Sequence, residues 1–187
     1  TVVVGEVKNN DSQTAVTNVR IQVNFFDESD PAPIEIVQGK TTLEVIPQNG
    51  ESPFAIRSQT PNPDITQASV TLLGFDSTGG KQKGLTIFSN DVLLDSSFHF
   101  SGTLQNSGAP NSNTTAYLAF YDGFEPPRIL GISAIDLGDV DSDAEITFDL
   151  NEKIDSRAVG FLLFAESSIF YSDFVDVKIP TPQSLTK

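Results

Sequence analysis

The sequence predicts an all-β protein made of two tandem antiparallel β-sandwiches. Apolar and polar residues alternate at a period of two in many short segments, which are rich in β-branched and aromatic residues and bounded by Asn, Gly, Pro and Asp. No window keeps apolar residues at the helical spacing i, i+3, i+4, i+7 over three turns. In addition, the pattern of the first half of the chain returns in the second half.

Residues 19–27 contain the clearest strand. One face carries the apolar side chains Val19, Ile21, Val23 and Phe25, and the other carries Arg20, Gln22 and Asn24. An antiparallel sheet with one face against a core and the other in water has this alternation. We therefore expect this strand to lie in the sheet of a sandwich.

The other segments of the first half follow the same rules. A turn is expected at residues 9–12 because Asn and Asp hydrogen-bond to their own backbone and tolerate positive φ. Pro-containing stretches mark loops at residues 27–33, 47–50 and 60–64. Strands are predicted between these turns, at residues 1–8, 34–37, 41–46, 53–56, 69–75 and 84–94.

The second half repeats the order of these segments. Residues 5–9, 23–27, 54–56 and 88–90 correspond to residues 102–106, 118–122, 148–150 and 171–173. The separation between matching segments shortens along the chain, as loop deletions between equivalent strands would produce.

An immunoglobulin-like sandwich needs about 100 residues. We predict two such sandwiches in tandem, at residues 1–92 and 93–180, followed by a linker or tail at residues 181–187. Thr1 falls on what corresponds to the second strand of a seven-stranded sandwich. The first sandwich could therefore lack its first strand and present an unpaired edge, to which a strand of another chain could add.

The composition argues against several classes of partner. The net charge of −14, from 25 acidic and 11 basic residues, repels phosphate backbones and anionic lipid, so we predict neither nucleic-acid binding nor membrane contact by this segment. The absence of Cys excludes disulfides, zinc fingers and thiol chemistry. The longest apolar run, residues 159–165, is far shorter than the roughly 20 residues of a membrane span. The start has no basic n-region, so a signal or anchor is expected to be absent or removed.

Two motifs carry a resemblance to a known family. Residues 23–27 read Val-Asn-Phe-Phe-Asp and residues 118–122 read Leu-Ala-Phe-Tyr-Asp, and each copy follows a Gly-x-hydrophobic-x-Asn strand. Both halves resemble the FxLYD-type domains of surface and exported proteins of archaea and bacteria, although the first and third motif positions differ from Phe and Leu. The resemblance implies an immunoglobulin-like sandwich outside the cytoplasm, and it implies no catalytic residues.

An acid-rich segment in the second half is a candidate cation site. In extended backbone Asp139, Asp141, Asp143 and Glu145 would project to one side, and Ca²⁺ takes six to eight oxygen ligands from such loops. The EF-hand template fails, because Ala144 stands in place of its Gly and Leu150 in place of its final Glu. The alternative is a solvated turn, which we favour because a run of charges is more often a solvated face than a site. No other cofactor is predicted.

Two acceptor sequons for N-glycosylation are present, at Asn10 and Asn113. Both are predicted to fall in the loop after the first strand of their own half. Equivalent placement favours glycosylation of an exported protein over chance occurrence in polar turns.

Catalytic chemistry finds little support. His99 is the only histidine, so a three-histidine zinc site is impossible, and we interpret His99 as a structural strand residue rather than a member of a Ser-His-Asp triad. Phe26, Tyr117 and Tyr121 lie on the nominally wet faces of their strands. They could form a binding patch, but we favour packing under a loop or at the domain junction.

The sequence thus predicts a non-catalytic structural or adhesive module displayed on a cell surface. A sharper form of this hypothesis is a subunit of an extracellular filament that self-associates by strand addition or binds other envelope proteins. The alternative is a Ca²⁺-dependent module that binds glycans or proteins.

Overall fold

The computed structural model describes residues 1–60 and 62–180, and these residues form an all-β architecture, as predicted. They divide into two compact units, the first ending at Gly80 and the second beginning at Lys81. No helix in the described part of the chain is long and apolar enough to cross a membrane. The predicted tail at residues 181–187 lies outside the described residues.

In the first unit, residues 1–60 and 62–80 form six strands in two antiparallel sheets. They are β1 (Val2–Lys8), β2 (Ala15–Phe26), β3 (Glu35–Lys40), β4 (Val45–Ile46), β5 (Glu51–Arg57) and β6 (Gln67–Thr78). One sheet consists of β1 and β5, and in the other β2 pairs with β3, β4 and β6. The wide sheet therefore faces a partner sheet of only two strands.

The described residues of the second unit form nine strands. They are β7 (Gln82–Lys83), β8 (Leu85–Leu94), β9 (Phe98–Asn106), β10 (Asn111–Tyr121), β11 (Ile129–Val140), β12 (Glu145–Glu152), β13 (Gly160–Glu166), β14 (Phe170–Tyr171) and β15 (Val175–Lys178). One sheet has the order β12-β9-β8. In the other, β11, β10, β13 and β15 pair in that order, and the short β14 joins β13 to β7 through a parallel pair.

The central strand of the first unit has the predicted orientation. Val19, Ile21, Val23 and Phe25 of β2 are each almost completely buried, whereas Arg20 on the opposite face is exposed. Together with Ile46, Phe54 and Ile56 these side chains form the core of this unit.

The core of the second unit is aromatic and joins its two sheets. The Phe98 ring of β9 makes edge-to-face contacts with Phe120 of β10 at 5.1 Å and with Phe161 of β13 at 5.6 Å between ring centroids. Such pairs add roughly 0.5–1.5 kcal/mol to the stabilisation from burial alone. The contacts between β9 and β13 show that the sheets pack face to face as a sandwich.

The predicted match between residues 5–9 and 102–106 agrees with the pairing in the structure. Gly5 lies opposite Phe54, and Gly102 lies opposite Phe148. In both units a Cβ on the glycine would come within 2.8 Å of the phenylalanine ring. The glycine leaves room for the ring at the same place in each unit.

The asparagine at the end of each motif forms the same hydrogen-bonded clamp. Asn9 Nδ2 donates to the carbonyls of Thr14 at 2.8 Å and Pro47 at 3.0 Å. Asn106 Nδ2 donates to the carbonyls of Ala109 at 3.0 Å and Asp141 at 2.8 Å. Each asparagine therefore fastens the end of its strand to the loop that follows it and to a second loop farther along the chain.

Residues with left-handed backbone also recur in pairs. Asn18 and Asn113 have φ values of 51° and 53°, and each lies at a register irregularity in its strand. Asn49 and Asp143, in turns that precede β5 and β12, have φ values of 53° and 57°. Asn and Asp tolerate this conformation better than other non-glycine residues, which explains their recurrence at these four positions.

The predicted boundary near Val92 is wrong, because the units meet at Gly80 and Lys81. Strand β8, which the prediction placed last in the first sandwich, pairs with β9 along its whole length and belongs to the second unit. The predicted match between residues 88–90 and 171–173 is wrong for the same reason. Phe88 and Ser89 of β8 pair with Thr103 and Gly102 of β9, whereas Tyr171 lies opposite Glu166 of β13.

Candidate functional site

Strand β6 turns apolar side chains toward the core but leaves them half exposed. Val70 pairs with Val23 and Leu72 with Ile21. Residues paired across a sheet project from the same face, so Val70 and Leu72 point to the side on which Val23 and Ile21 are buried. Yet their exposed fractions are 49% and 50%.

A register irregularity extends this exposed row. The pairing of β2 with β6 shifts on both sides of Arg20, which lies opposite Gly74. Beyond the shift Ser77 pairs with the buried Val16, and Phe75 lines the same pocket as Leu72 and Ser77. Phe75 is 53% exposed. Three large apolar side chains of one strand thus face the core side without being covered.

A pocket lies beside this exposed row, where no strand in the described part of the first unit covers the side chains of β6. It has a volume of about 260 Å³ and lies between β1 and β6, with Val7 on one side and Leu72 and Phe75 on the other. Among the described residues β1 pairs only with β5, and β6 pairs only with β2. We call the depression formed by Val7, Val70, Leu72 and Phe75 the β1–β6 groove.

In the second unit, strands pair with both of the edges that are free in the first unit, namely those that correspond to β1 and β6. Strand β9, the counterpart of β1, pairs with β8 as well as β12, and β13, the counterpart of β6, pairs with β15 as well as β10. Leu85 and Ile87 of β8 are buried in the core, and so are Phe161 and Leu163 of β13. The described residues of the first unit include no counterpart of β8 or β15, which explains why β6 is exposed and β13 is not.

The outer edge of β6 carries no protection against pairing. From Gln67 to Phe75 it has no charged residue and no proline. The edge strand β15 of the second unit, in contrast, has Asp176 and Lys178 among only four residues. Natural edge strands avoid association through charges, prolines or short length. Residues 67–75 of β6 have none of these features, and the one charge of the strand, Asp76, lies near its end, so this part of β6 has the sequence of a strand with a neighbour.

The structure does not bring the four acidic residues of the predicted Ca²⁺ site together. Asp139 lies at the end of β11, Asp141 and Asp143 lie in the turn that follows, and Glu145 begins β12 in the other sheet. The expectation that they project to one side is wrong, because the backbone turns, with Asp143 left-handed. Glu145 accepts a hydrogen bond from Gln105 at 2.8 Å. Within residues 1–60 and 62–180 no three or more His, Asp or Glu side chains are grouped to hold a metal ion.

The two sequon asparagines are both exposed but do not occupy equivalent positions. Asn10 lies in the loop between β1 and β2, as predicted. Asn113 lies inside β10 at the irregularity that matches Asn18, so its predicted place in a loop is wrong. The extra polar residues before Ala116 pair with β11 and lengthen the strand.

His99 has neighbours that resemble a catalytic triad in composition but not in arrangement. Its Nε2 lies 2.9 Å from Ser97 Oγ and 3.7 Å from Asp95 Oδ1. In a triad the serine and the carboxylate contact opposite nitrogens of the ring, so that the carboxylate fixes the tautomer that accepts the serine proton. Here both approach the same nitrogen, and the arrangement is that of a local turn.

The aromatic residues on the outer faces pack within the second unit. The Tyr117 ring stacks on Phe164 at 5.2 Å, and Phe164 contacts Phe174 in the loop before β15. Tyr121 is buried and its hydroxyl bonds to Asp176 and Lys178. These contacts agree with our preference for packing under a loop, whereas Phe26 of the first unit is only partly buried.

The motif aspartates stabilise their own loops. Asp122 accepts hydrogen bonds from the backbone N–H groups of Phe124 and Arg128 and from the Arg128 side chain at 2.7 Å. Burial raises the pKa of Asp122, but these hydrogen bonds outweigh it and hold the pKa below its usual value. Asp27 accepts bonds from the backbone and hydroxyl of Ser29. Both aspartates therefore have a structural role.

No family model matches this chain, and no curated protein shows significant similarity to it. The β1–β6 groove is therefore the candidate site on the strength of its geometry alone.

Proposed function

We propose that this chain is a non-catalytic structural module of the cell surface, a filament subunit whose first unit is completed by a β-strand of a second copy. The observation that carries the proposal is the half-exposed, core-facing row Val70, Leu72 and Phe75 on β6, within residues 67–75, which carry no charge. A strand that pairs with the free edge of β1 gains main-chain hydrogen bonds, and its alternate side chains cover this row on β6.

The form of the second unit supports an immunoglobulin-like assignment for both units. A three-stranded sheet packs on a six-stranded one, and without the two-residue strands β7 and β14 these sheets leave the seven strands of an immunoglobulin-like sandwich. The shared glycine, asparagine and left-handed positions relate the first unit to it. This reading is consistent with the resemblance to FxLYD-type domains and treats the first unit as the same fold without two edge strands.

Two properties support a location outside the cell. The chain carries a net charge of −14 and exposes both sequon asparagines. An acidic surface keeps a protein soluble where it is concentrated. On this proposal, the envelope protein that binds this chain is a second copy of the chain itself.

The test compares two variants that place the same charge at equally exposed leucines. Leu72→Asp introduces a carboxylate into the groove, whereas Leu93→Asp introduces one on β8 of the second unit, where the leucine is 51% exposed. Sedimentation velocity and electron microscopy should show assemblies for the wild type and for Leu93→Asp, and monomers for Leu72→Asp. Circular dichroism confirms that each variant is folded. A wild-type chain that stays monomeric at high concentration would refute the proposal.

A further inference from the structure

We propose that the strand that fills the β1–β6 groove runs antiparallel to β1, is uncharged, and has the sequence pattern apolar-x-apolar-x-small in a fixed register. The inference deepens the proposed function, because it specifies the chemistry of the strand that the groove accepts. The second unit supplies the template, since its β9 already has such a neighbour.

The register of β8 on β9 defines the pattern. Leu85 lies opposite Asn106, Ile87 opposite Leu104, and Ser89 opposite Gly102. Leu85 and Ile87 point into the core and are 3% exposed. The register shifts after Ser89, where Asn90 bonds to the Thr103 hydroxyl at 2.7 Å. The regular part of the template is therefore residues 85–89.

The same register can be placed on the first unit through the repeated motif. Asn9, Val7 and Gly5 correspond to Asn106, Leu104 and Gly102. A strand antiparallel to β1 then has an apolar residue opposite Asn9, another opposite Val7, and a third position opposite Gly5. The second of these residues would enter the pocket that Val7 shares with Leu72 and Phe75.

The third position must be small. The Phe54 ring fills the space beside Gly5, where a Cβ would meet it at 2.8 Å. The second unit has the same crowding around Gly102, from Phe100 and Phe148, and there the opposite residue is Ser89. A large side chain opposite Gly5 would compete with the Phe54 ring for this space.

Charge matching restricts the strand further. Val7, Leu72 and Phe75 line the pocket in the groove, its charged lining residues Lys8 and Asp11 flank Asn9 and Asn10, and no charged residue lies between Gln67 and Phe75. A charged side chain that points inward opposite Val7 would lose its hydration beside Leu72 and Phe75. Residues 85–89, Leu-Thr-Ile-Phe-Ser, satisfy the pattern without any charge.

The experiment uses a synthetic peptide with the sequence of residues 85–94 as the probe. Fluorescence anisotropy measures its binding to the full chain at concentrations where sedimentation shows monomers. We expect saturable binding that weakens at least tenfold for a peptide with Leu85→Asp and Ile87→Asp. It should change less than threefold for a peptide with Thr86→Asp, because Thr86 points outward in the template.

Two results separate this inference from the proposed function. If the wild-type chain forms filaments but the peptide does not bind monomers, or all three peptides bind equally, the strand chemistry is wrong while the filament function stands. If the peptide binds with the expected pattern and no assembly forms, the groove accepts this strand but the filament function fails. Val7→Asp in the protein should abolish peptide binding, and unchanged binding would overturn the inference.

Discussion

The clamp formed by Asn106 gives a quantitative prediction for stability. Its side chain is buried, donates two hydrogen bonds to loop carbonyls, and accepts one from the backbone of Gly108 at 3.0 Å. Asn106→Ala removes all three. At about 0.5–1.5 kcal/mol for each hydrogen bond, we expect a loss of roughly 3 kcal/mol. For a unit of this size that loss lowers Tm by on the order of 10 °C.

Thermal unfolding followed by circular dichroism measures this loss, and hydrogen exchange identifies the unit that is destabilised. Asn151→Ala, at an exposed position of β12, serves as the control and should cost less than about 0.5 kcal/mol. Asn9→Ala should destabilise the first unit by a similar amount to Asn106→Ala in the second. A surface substitution changes the free energy of unfolding by up to about 0.5 kcal/mol. If Asn106→Ala changes it by no more than that, the clamp does not have the role we assign to it.

Three further predictions follow from the second unit. Lys81 Nζ lies 3.1 Å from Glu166 Oε1 with exposed fractions of 9% and 7%, so Lys81→Ala should cost about 3–5 kcal/mol in urea unfolding. Lys8→Ala at the exposed Lys8–Glu51 pair should cost much less, because solvent screens that pair. Equal costs would contradict the buried pairing. The pKa of Asp122 is lowered in the folded state, so its contribution to stability is present above the ordinary pKa of 3.8 and is lost as the pH falls through the folded-state pKa. Asp122→Asn should therefore reduce the slope of unfolding free energy against pH in acid unfolding. An unchanged slope would refute this linkage. Millimolar Ca²⁺ should leave Tm unchanged, because the chain turns within residues 139–145 and the acidic side chains there are not grouped to hold a metal ion. A rise in Tm would restore the Ca²⁺-dependent alternative.

The parts of the fold that depend on local patterns could be predicted from the sequence. The buried face of β2 follows from the alternation at Val19, Ile21 and Val23, because the period of a strand determines which side chains share a face. The match between Gly5 and Gly102 follows from a motif that keeps its internal spacing. Both predictions depend only on residues that are close together in the chain.

The parts that depend on long-range pairing could not be predicted in the same way. Strand β8 has a clear strand pattern, but nothing in that pattern specifies whether it pairs backward with the first unit or forward with β9. The predicted boundary near Val92 assigns most of β8 to the first unit, whereas β8 pairs forward with β9. The acidic segment was expected to be extended, and the turn at Asp143 separates its side chains. A local pattern does not report the path of the chain beyond it.

The groove itself was only partly predictable. An unpaired edge was expected from the missing counterpart of the first strand, but the second missing neighbour, the counterpart of β15, was not. Val70 and Leu72 alternate like the residues of any half-buried strand. Their exposure becomes visible only when the number of strands in the facing sheet is known.

Hydrogen–deuterium exchange on β1 tests the central claim most directly. The claim is that Val2–Lys8 is an edge strand in the monomer and an interior strand in the assembled protein. We predict that the peptide covering these residues exchanges quickly in monomers and becomes strongly protected in assemblies, while Val175–Lys178 at the charged edge of the second unit does not change. Assemblies that protect Val175–Lys178 and leave Val2–Lys8 unprotected would contradict the account.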